Sequence, residues 1–178
     1  LPNEDAYCLM VDSEDHLWTC NGLLTKNTEI IENNSQDEVA VCNLASLNLG
    51  SFVSYTIDGE AYVNFTLLEE VIKTTVRGLD NVIDLNFYPI PETKTSNMRH
   101  RPIGMGLMGW QDMLFKLKVP FDSPEEIRLA DGLMEFISYH AISTSADLAE
   151  EKGAYSTFKG SKWDRGIFPI DSLALLET

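Results

Sequence analysis

Apolar and polar positions alternate with two different periods along the chain, and the change of period divides it. Over the first 27 residues the rhythm is that of short strands. An apolar run, Ala6-Tyr7-Cys8-Leu9-Met10-Val11, is followed by the polar turn Asp12-Ser13-Glu14-Asp15, a second strand His16-Leu17-Trp18-Thr19-Cys20, and a third run Leu23-Leu24-Thr25. Between the last two stands Asn21-Gly22, whose residues both tolerate positive φ and mark a tight turn. This part predicts a β-meander. Residues 32–38 read as a polar loop, and residues 39–49, apolar with small residues, predict a buried strand passing into a turn or helix. Residues 55–65 predict a hairpin around Asp58-Gly59.

From Thr66 the period becomes helical. Thr66 is a suitable N-cap, with Glu69 three residues on completing a capping box. Leu68, Val71, Ile72, Val76, Leu79, Val82 and Ile83 recur at three and four residues and define a core-facing stripe. Pro89 and Pro91 are expected to stop the helix. Residues 96–102 read as a basic, polar connector. Gly104, Gly106 and Gly109 then stand among large apolar residues, as in a buried strand or a close backbone approach. They match Gly-x-Gly-x-x-Gly, but a dinucleotide fingerprint needs a strand before the first glycine, and Arg99-His100-Arg101-Pro102 occupies that place. Residues 110–118 predict a short amphipathic helix. Ser123, Pro124 and Glu126 open a last helix whose apolar positions run from Ile127 to Leu148 and which Gly153 ends.

Composition narrows the function classes. With 178 residues, 44% hydrophobic and 23% charged, the chain can bury a core. Its net charge of -15 opposes bulk electrostatic binding of nucleic acid. Three cysteines, Cys8, Cys20 and Cys42, form neither a zinc pattern nor a secreted disulfide framework, so a reducing cytoplasm is the expected compartment. No apolar run reaches the roughly 18 residues of a membrane span, and Glu4 and Asp5 stand where a signal peptide carries basic residues. The absence of an initial Met and the Leu-Glu-Thr ending lead to the expectation of a piece of something longer. Arg99, His100 and Arg101 are read as structural rather than as a phosphate site, and His140 as structural within its helix.

The run from Asp15 to Thr28, Asp-His-Leu-Trp-Thr-Cys-Asn-Gly-Leu-Leu-Thr-Lys-Asn-Thr, resembles the C-terminal splice region of an intein. That region has a His, an apolar strand, an Asn-Gly-like turn, a second strand, a terminal Asn, and then Cys, Ser or Thr. An Asn side-chain amide can attack its own carbonyl and cut the chain as a succinimide. The next hydroxyl first accepts the upstream protein as an ester, and a His moves protons. The resemblance implies that Asn27 cyclises, Thr28 is the nucleophile and His16 assists. Lys26 departs from the His that many inteins carry there, which implies slower cleavage.

From Thr28 onward the chain resembles the large (alpha) subunit of class I ribonucleotide reductase. The likeness rests on Thr28-Glu29-Ile30 with Val39-Ala-Val-Cys42-Asn-Leu-Ala-Ser-Leu, on Asn86-Phe-Tyr-Pro-Ile-Pro and Ser96-Asn-Met-Arg-His-Arg-Pro-Ile-Gly-Met-Gly, and on Asp147-Leu-Ala-Glu-Glu-Lys-Gly with Gly166-Ile-Phe-Pro-Ile-Asp. In that family Asn-Leu-Cys precedes Thr-Glu-Ile, and its Cys carries the thiyl radical that takes the 3′-hydrogen of the ribose. Here Lys26-Asn27 stands in that place. The two resemblances are mutually consistent if an intein is inserted directly after the radical cysteine, which would then lie on the upstream piece.

The resemblance implies an α/β fold, part of the ten-stranded α/β barrel (residues 28–178), preceded by a short β-rich intein segment (residues 1–27). It implies that Glu29 is the general base for the 3′-hydroxyl proton and that Cys42 is one of two cysteines that reduce carbon 2′ and end as a disulfide. Cys8 and Cys20 are expected to be packing residues. No cofactor or metal is expected on the chain itself, the radical coming from a metal-containing small subunit and nucleotide effectors binding elsewhere in the full subunit. Expected partners are the upstream half of the subunit, an N-terminal intein piece, the small subunit, a ribonucleotide, and a thioredoxin- or glutaredoxin-type reductant, with no membrane. The chain is expected to stop before the substrate-phosphate loop and the tyrosine relay, and to be inactive alone. A trans-splicing precursor and a decayed, non-catalytic fragment are the alternatives.

Overall fold

The computed structural model describes residues 17–20, 23–26 and 35–171, and the chain divides into two units between Glu32 and Asn33. In the first unit, β1 (Leu17–Cys20) and β2 (Leu23–Lys26) form an antiparallel pair with Leu17 opposite Lys26 and Cys20 opposite Leu23. This pair agrees with the second and third predicted strands. The first, residues 6–11, and the Asn21-Gly22 turn lie outside the described residues.

The second unit opens with a turn at residues 35–38. β3 (Leu44–Asn48) follows, running into a 3-10 turn, Leu49–Phe52, whose Leu49 and Phe52 are buried. β4 (Val53–Tyr55) and β5 (Ala61–Val63) make the predicted hairpin, with Gly59 at φ 82° at its tip. β6 (Gly104–Met108) lies parallel to β3, in register from Leu44 and Gly104 to Asn48 and Met108. Two glycines of the Gly-x-Gly-x-x-Gly run therefore sit inside a strand, not on a phosphate-binding turn. Gly109 follows at φ 71° and begins α3 (Trp110–Leu117). A Cβ on Gly109 would lie 2.5 Å from Asn48 Oδ1, so a side chain there meets both steric and conformational strain. Among the described residues the strands pair two by two and no closed barrel forms. The architecture is mixed α and β.

α1 (Phe65–Leu85) begins one residue before the predicted N-cap. Asn64 caps it, its Oδ1 accepting from Leu67 N at 3.0 Å, while its Nδ2 donates to Ser54 Oγ and its backbone N–H to Phe52 O. Asn64 thus joins the helix to the hairpin, and Glu69 instead pairs with Lys73 one turn on. Leu68, Ile72, Val76, Leu79 and Ile83 are the buried line of the stripe, whereas Val82 is exposed. The long α4 (Pro124–Lys152) packs along α1 through Leu133, Ile137 and Leu148. Ser123 Oγ accepts from Glu126 N as expected, but the Glu126 carboxylate accepts from Trp110 Nε1 instead of closing the box. Ile72→Ala is expected to cost about 2–5 kcal/mol, because a fully buried side chain leaves a cavity. Val82→Ala should stay within about 0.5 kcal/mol of the parent. Urea unfolding midpoints of the two variants check this.

The expected connector at residues 96–102 is a helix for most of its length. α2 (Pro91–His100) starts on Pro91 and ends at Arg101, which is left-handed at φ 48°. Pro91 lacks an N–H that the first helical turn does not need, so it begins this helix. Its buried face is polar (Thr93, Ser96, Asn97), which is why no apolar stripe announced it. Thr93 Oγ1 donates to Ile90 O, and Asn97 Nδ2 donates to Tyr88 Oη, which donates in turn to Ile83 O.

Candidate functional site

Of the five predicted site residues, His16, Asn27, Thr28 and Glu29 lie outside the described residues. Cys42 is described. It is exposed and stands two residues before β3. Its predicted place inside a buried strand is corrected, because the strand begins only at Leu44.

The backbone on both sides of Cys42 is fixed. Downstream, the buried Asn43 donates from Nδ2 to Pro102 O at 3.1 Å, and Gly104 N donates to Asn43 O at 2.9 Å. These bonds extend the β3–β6 pairing toward the cysteine. Upstream, Val39 N donates to Glu92 O at 3.3 Å. Glu38 is 2% exposed, and a carboxylate so placed needs charged partners. It accepts from Arg99 Nη1 at 2.7 Å and from His100 Nε2 at 3.1 Å. The hydrogen bonds from His100 and then Arg99 hold its pKa below the ordinary carboxylate value, against the opposite pull of desolvation. His100 Nδ1 lies 2.9 Å from Thr157 Oγ1, so the same ring reaches the segment after α4. A carboxylate only accepts, so Nε2 donates in that bond, and Nδ1 faces the Thr157 hydroxyl.

Arg101 turns the other way. Its Nε donates to Asp80 Oδ1 and its two terminal nitrogens to Asp84 Oδ1 and Oδ2, with a further bond to the Asp80 carbonyl. The guanidinium hydrogen bonds hold the Asp84 pKa down. The three basic residues of this motif thus face internal acceptors, in agreement with their structural reading. His140 packs on Phe136 with ring centroids 4.3 Å apart, also as a structural residue. Among the described residues no group of three or more His, Cys, Asp or Glu is placed to hold a metal.

Glu38 was not singled out from the sequence, because it sits at the end of a loop of seven mostly polar residues. Its signal was an acid directly before the apolar run Val39-Ala40-Val41, with two adjacent basic residues on a polar helix to receive it. The arrangement presents an exposed thiol on a stretch bonded on both sides.

The family model for the ribonucleotide reductase barrel domain matches residues 27–177, and the chain belongs to that family. It is 48% identical over 166 residues to the alpha subunit of ribonucleoside-diphosphate reductase from Chlamydia muridarum, covering 92% of this chain and 15% of that protein. It is 46% identical over 144 residues to the large chain from Neurospora crassa, covering 81% and 15%. The large subunit from Variola virus is 44% identical over 166 residues, covering 92% and 20%. The chain therefore spans between 15% and 20% of the length of these relatives. The family match begins at residue 27, while coverage of 92% takes the Chlamydia alignment into part of residues 1–27.

Proposed function

We propose that residues 28–178 supply part of the active site of a ribonucleoside-diphosphate reductase large subunit, which makes deoxyribonucleotides for DNA synthesis. The observation that carries this reading is the family match over residues 27–177, which includes both proposed catalytic residues. Glu29 takes the 3′-hydroxyl proton. A thiyl radical on an upstream cysteine, generated with a metal-containing small subunit, supplies abstraction of the 3′-hydrogen. Cys42 and a second upstream thiol supply two electrons at carbon 2′. Two S–H bonds and the C2′–O bond break; a C2′–H bond and a disulfide form, and the hydroxyl leaves as water. A thioredoxin- or glutaredoxin-type protein restores the dithiol. Effector nucleotides, ATP among them, bind elsewhere in the full subunit. The cytoplasm is the compartment that suits a thiol cycle; among the described residues no helix is long and apolar enough to cross a membrane.

Residues 1–27 belong, in this proposal, to a splicing element. Asn27 cyclises, Thr28 receives the upstream chain, and His16 moves the proton. The Chlamydia alignment favours a second reading, in which part of this segment is retained reductase sequence. Mixing the chain with the upstream half of the subunit and weighing the products separates the two. The first reading expects a product lacking residues 1–27, with Thr28 joined to an upstream cysteine, and no such product from Asn27→Ala. An active subunit that keeps residues 1–27 establishes the second.

A further inference from the structure

We infer that Glu38 is a positioning residue for Cys42, acting as a buried clamp that fixes the upstream end of the cysteine-bearing stretch. The inference rests on the redox role proposed for Cys42 and goes beyond it by naming what holds that thiol in place. A thiol that alternates between a reduced form and a disulfide must swing its side chain while its backbone stays registered to the reaction centre. The structure fixes the stretch on both sides. Downstream of Cys42, Asn43 is bound to Pro102 and Gly104 by the start of the parallel strand pair. Residues 35–42 lie in no strand. The turn at residues 35–38 has only short-range bonds of its own, from Asp37 N to Ser35 Oγ and from Glu38 N to Ser35 O. Its long-range attachments are the Val39–Glu92 backbone bond and the Glu38 carboxylate on Arg99 and His100.

The carboxylate is the stronger of these attachments. The carboxylate lends charge assistance to both hydrogen bonds, and both donors sit in the last turn of α2, whose negative end favours the Arg99 guanidinium. His100 passes the attachment on to Thr157, so one buried acid joins the cysteine stretch, α2 and the segment after α4. The carboxylate thus ties Arg99 and His100 to this stretch beside the Val39–Glu92 backbone bond, and an amide in its place keeps one acceptor oxygen but loses the charge that strengthens both bonds.

The test follows iodoacetamide labelling of Cys42 by peptide mapping in the full chain, beside hydrogen exchange of residues 39–43. Glu38→Gln is expected to raise the Cys42 labelling rate about threefold or more, through local opening, while exchange in α1 stays at the parent level. Arg99→Met, at a half-exposed position that does not threaten the core, is expected to raise it in the same direction, and Arg99→Lys to restore it. Labelling within about 1.5-fold of the parent in folded Glu38→Gln and in Arg99→Met overturns the inference. If Glu38→Gln does not fold, the two Arg99 variants decide. These rates do not depend on turnover, so they stand apart from any failure of the redox reading, which shows as steady deoxyribonucleotide formation by Cys42→Ser.

Discussion

Glu29→Gln in the assembled large subunit should abolish ribonucleotide reduction while leaving substrate binding and folding intact. The substitution keeps the size of the side chain and removes only its capacity to hold a proton. Loss of hydrogen from carbon 3′ is easier when the neighbouring hydroxyl gives up its proton at the same time, so a positioned base contributes about 10²–10⁴-fold to the rate. The expected result is a fall of that size in kcat with little change in KM, since the base acts in the transition state rather than in binding. The assay needs the complete subunit, its small-subunit partner and a thiol reductant. Turnover within about tenfold of the parent would remove Glu29 from the role of base.

Cys42→Ser should be as severe, for a different reason. A hydroxyl has the right size but cannot share in a disulfide, so the two electrons needed at carbon 2′ have no source. Steady formation of deoxyribonucleotide should cease whatever the concentration of reductant. The exposed position of Cys42 makes a folding explanation weak, since surface substitutions usually move stability by no more than about 0.5 kcal/mol. Comparing unfolding midpoints of parent and variant checks that point. Sustained turnover by the Ser variant would assign the reducing thiol elsewhere.

Elements ruled by apolar spacing were legible in the sequence. The α1 stripe, the hairpin at Asp58-Gly59 and the Ser123-Pro124 start of α4 all stand where residue chemistry placed them. What escaped was ruled by polar burial. α2 has no apolar face to show, because Thr93, Ser96 and Asn97 fill its inner side and satisfy most of their own hydrogen bonds. The cap of α1 fell to Asn64 over Thr66 because Asn64 also bonds to the hairpin, a tertiary contact that local spacing does not record. Glu38 was hidden likewise, since burying an acid depends on donors more than sixty residues away. Cys42 stands out in the sequence only through its motif, and it is exposed, two residues before β3.

The parallel pairing of β3 with β6 also orders events during synthesis. Asn43 has its partners at Pro102 and Gly104, and Glu38 has its partners at Arg99 and His100. None of these exists when the cysteine leaves the ribosome. Hairpin, α1 and α2 must be translated first, and their folding shortens the loop that the pairing has to close. On the nascent chain, the Cys42 thiol therefore emerges well before the contacts that later hold its backbone.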